Sequence, residues 1–210
     1  MLRTFIAMLI IFLVPVVAEA GLVAYLDKTT ELWGFKDAQG IVVIKPQFAA
    51  VYATTDEVFS PKNKETEYLV GVIKNWTTYR ISKDGKIKFE SVFFDNGPDY
   101  YEEGLARFID PKTGKIGFHD RRGHVVIKPE FDFASPFKNG TSNVSIGCHA
   151  EYPQKPTFLP LSSSSFHQPR KEMFFSLVGG KWGKIDKTGK IIVPLKYNSL
   201  ETLPKDDKKQ

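Results

Sequence analysis

The sequence predicts an all-β protein built from tandem antiparallel β-hairpins. Three observations predict it. Four segments repeat an Asp/Ser-x-x-Gly turn in a shared register. A short β-branched run follows each turn, and such runs favour strands. No segment after residue 20 keeps the 3.6-residue apolar period of an amphipathic helix.

The composition agrees with a folded chain. Of the 210 residues, 42% are hydrophobic, 25% charged and 13% aromatic, which is too apolar and aromatic for a disordered segment. A single cysteine, Cys148, excludes an intrachain disulfide framework. The formal charge of +5 is scattered over Arg121-Arg122, Arg170-Lys171, Lys205 and Lys208-Lys209, with Asp206-Asp207 offsetting the last group. A nucleic-acid binder would gather its basic residues into a stripe, so no nucleic-acid partner is expected.

Residues 1–20 read as a secretory signal peptide, to be set aside before the fold is considered. Arg3 supplies a positive start. Phe5 to Val17 is an apolar run of 13 residues, and Ala18-Glu19-Ala20 puts small residues before a cut after Ala20. The alternative, an uncleaved anchor, needs about 20 apolar residues, and Glu19 interrupts the run too early. The expected location is the periplasm or outside the cell. No transmembrane segment is expected after cleavage. The β domain would span 21–204, and 205–210 would form a charged tail.

The elements follow from the anchor glycines Gly40, Gly85, Gly123 and Gly189. Asp37, Ser82, Asp120 and Asp186 stand three residues earlier, where a short polar side chain accepts backbone N–H bonds. Glycine then supplies the positive φ that closes the turn. Phe48, Phe93, Phe131 and Tyr197 stand eight residues later and are expected to fold back into the core. Gly34, Gly117 and Gly183 stand six earlier, as a bulge or a close backbone approach. Trp33 and Trp182 precede two of them. Pro46, Pro129 and Pro194 are expected to end the strands after each turn. Asp110 to Gly114 predicts a further hairpin. The repeats are placed near 32–51, 70–108, 115–147 and 177–200. Two surplus stretches, a polar loop over 54–67 and a Pro- and Ser-rich insertion over 149–172, are read as surface insertions.

These residues resemble the WG repeat family, bacterial repeats written roughly W-G-[YF]-I-D-x-x-G-x-x-[VI]-I-P-P-x-[YF]. Copies one, three and four match well. Copy two matches poorly, because Thr78-Tyr79 replaces Trp-Gly. The resemblance implies an exported bacterial protein of stacked β-hairpins, as an open array or a partly closed barrel, that binds rather than catalyses. It carries no catalytic residues to this chain. The matched Trp, Gly, Asp, Pro and aromatic positions are structural.

Candidate chemistry is thin. His119 and His124 flank one turn and are read as a surface pair, lacking the further ligands a zinc site needs. Cys148 and His149 are neighbours, so on a strand they face opposite ways and cannot form a thiol–imidazole dyad. Cys148 is left open as buried, reactive or joined to another chain. Phe93, Phe94, Tyr100 and Tyr101 lie near Gly97-Pro98, expected to be a turn, and could stack on sugars or anchor a protein. No catalytic residue, metal or cofactor is assigned. The expected function is binding to a protein partner, with an immunity-type antagonist of a periplasmic toxin as its specific form. Binding to an envelope polymer or glycan is the alternative. A hydrolase using Cys148 or a histidine ranks last.

Overall fold

The computed structural model describes residues 21–53, 57–60, 68–151 and 176–205. The expected signal peptide, most of the 54–67 loop, most of the 149–172 insertion and nearly all of the tail lie outside them. Among the described residues the chain is all β, apart from a 3-10 turn at Leu200–Thr202.

Each predicted hairpin carries a third strand on its N-terminal side, so the unit is a three-stranded antiparallel meander. Unit 1 is β1 (Leu22–Asp27), β2 (Leu32–Lys36) and β3 (Val42–Phe48), followed by the short β4 (Ala50–Tyr52) and β5 (Glu57–Val58). Unit 2 is β6 (Val70–Lys74), β7 (Thr77–Ile81) and β8 (Ile87–Ser91), with β9 (Phe93–Phe94) and β10 (Gly97–Pro98) after it. Unit 3 is β11 (Leu105–Ile109), β12 (Ile116–Asp120) and β13 (Val125–Phe131), with β14 (Phe133–Ala134). Unit 4 is β15 (Thr141–Glu151), β16 (Ser176–Asp186) and β17 (Ile191–Tyr197).

The third strand of each unit, or its continuation, hands on to the first strand of the next. β4 pairs β6 through Val51↔Val72, β8 pairs β11 through Ser91↔Phe108, and β14 pairs β15 through Ala134↔Val144. The sheets run β3-β2-β1-β5, β13-β12-β11-β8-β7-β6-β4 and β14-β15-β16-β17, with β9 and β10 as a separate pair. Among the described residues no sheet closes on itself, so the array they form is open rather than a barrel. Both ends are capped, as a repeat array requires. β5 pairs the outer edge of β1 at Leu22↔Val58, where an earlier unit would otherwise hand on its strand. At the other end Leu203 packs with Trp182.

The tight turns follow their sequence. Asp37 Oδ1 accepts from the N–H of Gln39 (3.0 Å) and Ile41 (2.8 Å), and Asp120 and Asp186 hold their turns in the same way. The anchor glycines sit at φ +82, +78, +86 and +87°. In unit 2 the roles change: Ser82 Oγ donates to Asp84 at 2.6 Å, and Asp84 receives the backbone N–H of Lys86. The Asp110–Gly114 hairpin forms as predicted, with Thr113 Oγ1 donating to Asp110 at 2.7 Å.

The Trp-Gly position makes a bulge. In β2–β3 the register passes from Trp33↔Phe48 to Phe35↔Ile44, so Gly34 alone faces Lys45, Pro46 and Gln47. A Cβ on Gly34 would lie 2.6 Å from the Ile44 carbonyl oxygen; for Gly117 and Gly183 the matching distances are 2.6 and 2.5 Å. Pro46, Pro129 and Pro194 therefore do not end strands. They lie inside β3, β13 and β17, in the bulge, where a missing N–H costs no ladder bond.

Unit 2 departs for the same reason. Tyr79 stands where the glycine would be, and β7 runs past β8 without the bulge at that position, through Tyr79↔Glu90 and Arg80↔Phe89, keeping only the shift next to the turn, between Arg80 and Ile81. Without the two extra residues, Ser91 takes the place that Phe48 has in unit 1. Phe93 is carried past the sheet end and is 57% exposed, against the core role expected of it. Two further boundaries move. Val58 and Phe59 are fully buried inside the supposed polar loop, and residues 149–151 belong to β15 rather than to the insertion.

Each core lies between successive units. Phe35, Ile44 and Phe48 of unit 1 meet Val70, Val72 and Ile81 of unit 2. Phe118, Ile127 and Phe131 of unit 3 meet Val144 and Ile185 of unit 4. The alternation of side chains on β2, β7, β12 and β16 sets these meetings. The residue five before each anchor glycine faces the next unit, and the residue four before faces the previous one.

Candidate functional site

That alternation singles out the middle junction. Five before the anchors stand Phe35, Arg80, Phe118 and Lys184; four before stand Lys36, Ile81, His119 and Ile185. Phe meets Ile between units 1 and 2 and again between units 3 and 4. Between units 2 and 3 Arg80 meets His119. The apolar cluster there shrinks to Leu69, Phe89 and Phe108.

A polar network fills the rest. Asp99, from the segment between β10 and β11, is buried and clasps Arg107 twice: Nε donates to Oδ2 at 2.9 Å and Nη2 to Oδ1 at 2.5 Å. The Arg107 N–H also donates to Oδ2, at 2.8 Å, and its Nη1 to the Ala134 carbonyl, at 3.0 Å. Arg80 Nη2 donates to the Asp99 carbonyl at 2.5 Å. The guanidiniums of Arg80 and Arg121 lie 4.8 and 4.6 Å from the centre of the Tyr101 ring. Here the desolvation of one carboxylate and one guanidinium is offset by a bidentate pair with further hydrogen bonds.

His119 sits inside this network and not on the surface with His124. It is 0% exposed, stacked on Phe89 at 4.1 Å, with the Tyr101 ring edge-on at 5.5 Å. Its Nδ1–H donates to the Asp120 carbonyl at 2.8 Å, which leaves Nε2 as an acceptor. Nε2 and the Tyr101 hydroxyl are buried with no hydrogen-bond partner among the described residues. Burial pushes the His119 pKa down to about 4, with the Asp120 carbonyl opposing and Arg80 adding to the shift. The ring is therefore neutral in the folded chain near pH 7. His124 is exposed, its Nδ1 3.0 Å from Asp120 Oδ2.

The other residues read from the sequence are structural neighbours of the junctions or turns. Trp33 packs against the first core, and Phe48 and Phe131 lie in the first and third junctions. Trp182 is buried at the end of unit 4, its Nε1 donating to Gly179 at 3.0 Å, with Tyr197 and Cys148 packed nearby. Cys148 is 8% exposed, while His149 faces outward. No group of three or more metal-ligating side chains occurs among the described residues. No helix among them is long and apolar enough to cross a membrane.

A second feature lies on the outside. The residue two after each anchor glycine is an exposed β-branched side chain, and in units 1, 3 and 4 so is the next: Val42-Val43, Ile87, Val125-Val126 and Ile191-Ile192, all between 40% and 50% exposed. Ile41 is 65% exposed beside them. The turns stack. A Cβ on Gly85 would touch Ile44 of unit 1 at 3.3 Å, and one on Gly189 would touch Ile127 of unit 3 at 3.3 Å. Equivalent residues therefore follow one another along one side of the array. β3, β13 and β17 are edge strands of their sheets. Their second halves carry Pro and Lys, which blunt an edge against unplanned strand pairing, while their first halves carry the apolar pairs.

The sequence held a sign of the polar junction that its motifs hid. The anchor register fixes the turns, whereas the odd residues Arg80 and His119 stand between anchors, at places that mean something only once the facing unit is known.

The model of the WG containing repeat matches residues 33–59, 116–147 and 182–206. These are the Trp-Gly or Ile-Gly strand, the turn and the third strand of units 1, 3 and 4. Unit 2, whose β7–β8 pair lacks the bulge at the glycine position, is not matched. Comparison with curated proteins and with solved structures gives no match. The chain belongs, through its first, third and fourth units, to the WG-repeat family.

Proposed function

We propose that this chain is an exported, non-catalytic interaction protein that binds a protein partner along the outer row of its β-repeat array. The observation that carries this reading is the recurrence of exposed β-branched residues at one register in all four units. Scattered apolar surface residues need no explanation, but a row of them does. Membership in a repeat family supports an interaction module, because stacked repeats offer one extended surface. Export rests on the apolar run and small-residue cleavage pattern of residues 1–20. Lys45, Lys86, Lys88, Lys128 and Lys190 stand exposed beside the row, so the fitting partner surface is apolar with an acidic margin. An immunity-type antagonist of an envelope-directed toxin is the specific form of this reading.

The test compares the native chain with the triple variant Val42→Ser, Val125→Ser, Ile191→Ser, all at the position two after an anchor glycine, in capture from a periplasmic extract. A second variant, Thr113→Ser, changes a turn at the other end of the strands. The reading expects one protein captured by the native chain and by Thr113→Ser, and its yield cut at least ten-fold by the triple variant. Equal capture by all three would overturn it.

A further inference from the structure

The outer row leaves one group of exposed rings unaccounted for. β9 and β10 form a hairpin whose turn is Asp95-Asn96, with φ +44 and +68°, the type I′ pattern of two-residue hairpins. Gly97-Pro98, expected to be the turn, is the second strand. The hairpin folds down onto unit 2. A Cβ on Gly71 would lie 2.9 Å from Pro98, and one on Gly97 would lie 2.5 Å from the Tyr52 ring. Both glycines allow flat, close contact.

Three rings are fixed by this arrangement. The Tyr52 hydroxyl donates to the Asn96 carbonyl at 2.5 Å. Phe94 meets Tyr100 edge-on, with centroids 6.1 Å apart at 89°, and the Arg107 guanidinium lies 5.3 Å from its centre. The Tyr100 hydroxyl donates to Asp95 at 3.4 Å, and the charge of Asp95, with Tyr52 contributing, raises the Tyr100 pKa. Yet Tyr52 is 37% exposed, Phe94 43% and Tyr100 49%. Rings held in place before binding lose little conformational entropy when a ligand covers them.

The surroundings select the ligand. Residues 93–103 contain no Leu, Ile, Val or Met, and their exposed polar residues are acidic or amide: Asp95, Asn96, Glu102 and Glu103. Glu103 is engaged, accepting from the Gly140 N–H at 3.0 Å. A protein-binding core would be depleted in charge, whereas these rings carry carboxylates at their margin. An acidic rim repels an anionic polymer. A sugar ring fits both features. Its C–H face lies on an aromatic face, whose π cloud is negative, and its hydroxyls donate to carboxylates.

We propose that Tyr52, Phe94 and Tyr100, with Asp95 at their margin, form a stacking platform for an uncharged glycan chain. It is a site separate from the outer row. Binding of the full chain is measured by calorimetry with three probes: a hexamer of N-acetylglucosamine, a hexamer of glucose and polygalacturonate. At least one neutral hexamer should bind. The double variant Phe94→Ala, Tyr100→Ala should weaken it at least ten-fold, and Tyr100→Leu alone should weaken it several-fold. The triple variant of the outer row should bind it unchanged, which separates this proposal from the protein-partner reading. Thermal unfolding confirms that each variant is folded. The proposal is overturned if neither neutral hexamer binds, if binding survives both ring variants, or if polygalacturonate binds more tightly. It is overturned also if the ring variants abolish protein capture while no glycan binds.

Discussion

His119 makes stability depend on pH in a window where few other groups titrate. Its pKa is about 4 in the folded chain and 6.5 as an ordinary histidine. The unfolded chain therefore binds the proton first, and stability rises with pH between these values. The contribution is fully present above about pH 6.5 and lost as pH falls towards 4. A shift of this size amounts to about 3 kcal/mol, of which about 2 kcal/mol is lost between pH 7.5 and 5. That is a large share of the roughly 5–15 kcal/mol that stabilises an ordinary domain. The charged and titratable groups facing the ring are Arg80 and Tyr101 on one side, with Asp99 and Asp120 near its edge. The perturbation is His119→Phe, which keeps the stack on Phe89 and removes the titrating group. Urea midpoints of both proteins are measured at half-unit steps from pH 7.5 to 5. The native chain should lose about 2 kcal/mol more than the variant over that range. Parallel curves would refute the argument, since they would show that His119 is protonated in the folded chain or already neutral in the unfolded one.

Other perturbations read different parts of the design. Gly117→Ala forces a Cβ to 2.6 Å from the Ile127 carbonyl oxygen and should cost about 1–3 kcal/mol in urea unfolding. Gly40→Ala meets nothing within 4 Å and should cost only the strain of its φ of +82°, about 1–2 kcal/mol. Asp99→Ala strands the buried Arg107 guanidinium and should cost about 3–5 kcal/mol; amide exchange should then quicken first in β8 and β11, on either side of the middle junction. Asp186→Ala frees the N–H groups of Thr188 and Lys190 at an exposed turn, so its cost by thermal unfolding should stay near 1 kcal/mol.

The middle junction also separates stability from recognition. The network of Asp99, Arg107, Arg80 and His119 is buried, and its variants should change unfolding far more than binding. The outer row and the ring platform are exposed, and their variants should do the reverse. Surface substitutions away from special features usually change stability by less than about 0.5 kcal/mol. A row variant that unfolded the chain would therefore show that these β-branched residues carry packing.

What the sequence determined by itself was local. Asp or Ser three residues before a positive-φ glycine makes a turn from bonds within five residues, and Asp37, Asp120 and Asp186 each made it. The β-branched runs became strands, and the chain became all β, because each tight turn brings a run against the strand just before it in sequence. Tertiary structure decided what depends on a facing surface. It placed Pro46, Pro129 and Pro194 inside bulges, because only the opposed glycine shows where the ladder is broken. It moved Phe93 to the surface, because Tyr79 leaves no room for the bulge that would draw its residue inward. It buried His119 against Arg80 and Tyr101, because the position four before an anchor glycine acquires meaning only from the unit stacked upon it. Turns are written in neighbouring residues; burial, and with it the pKa of His119 and the exposure of the outer row, is a property of the stack.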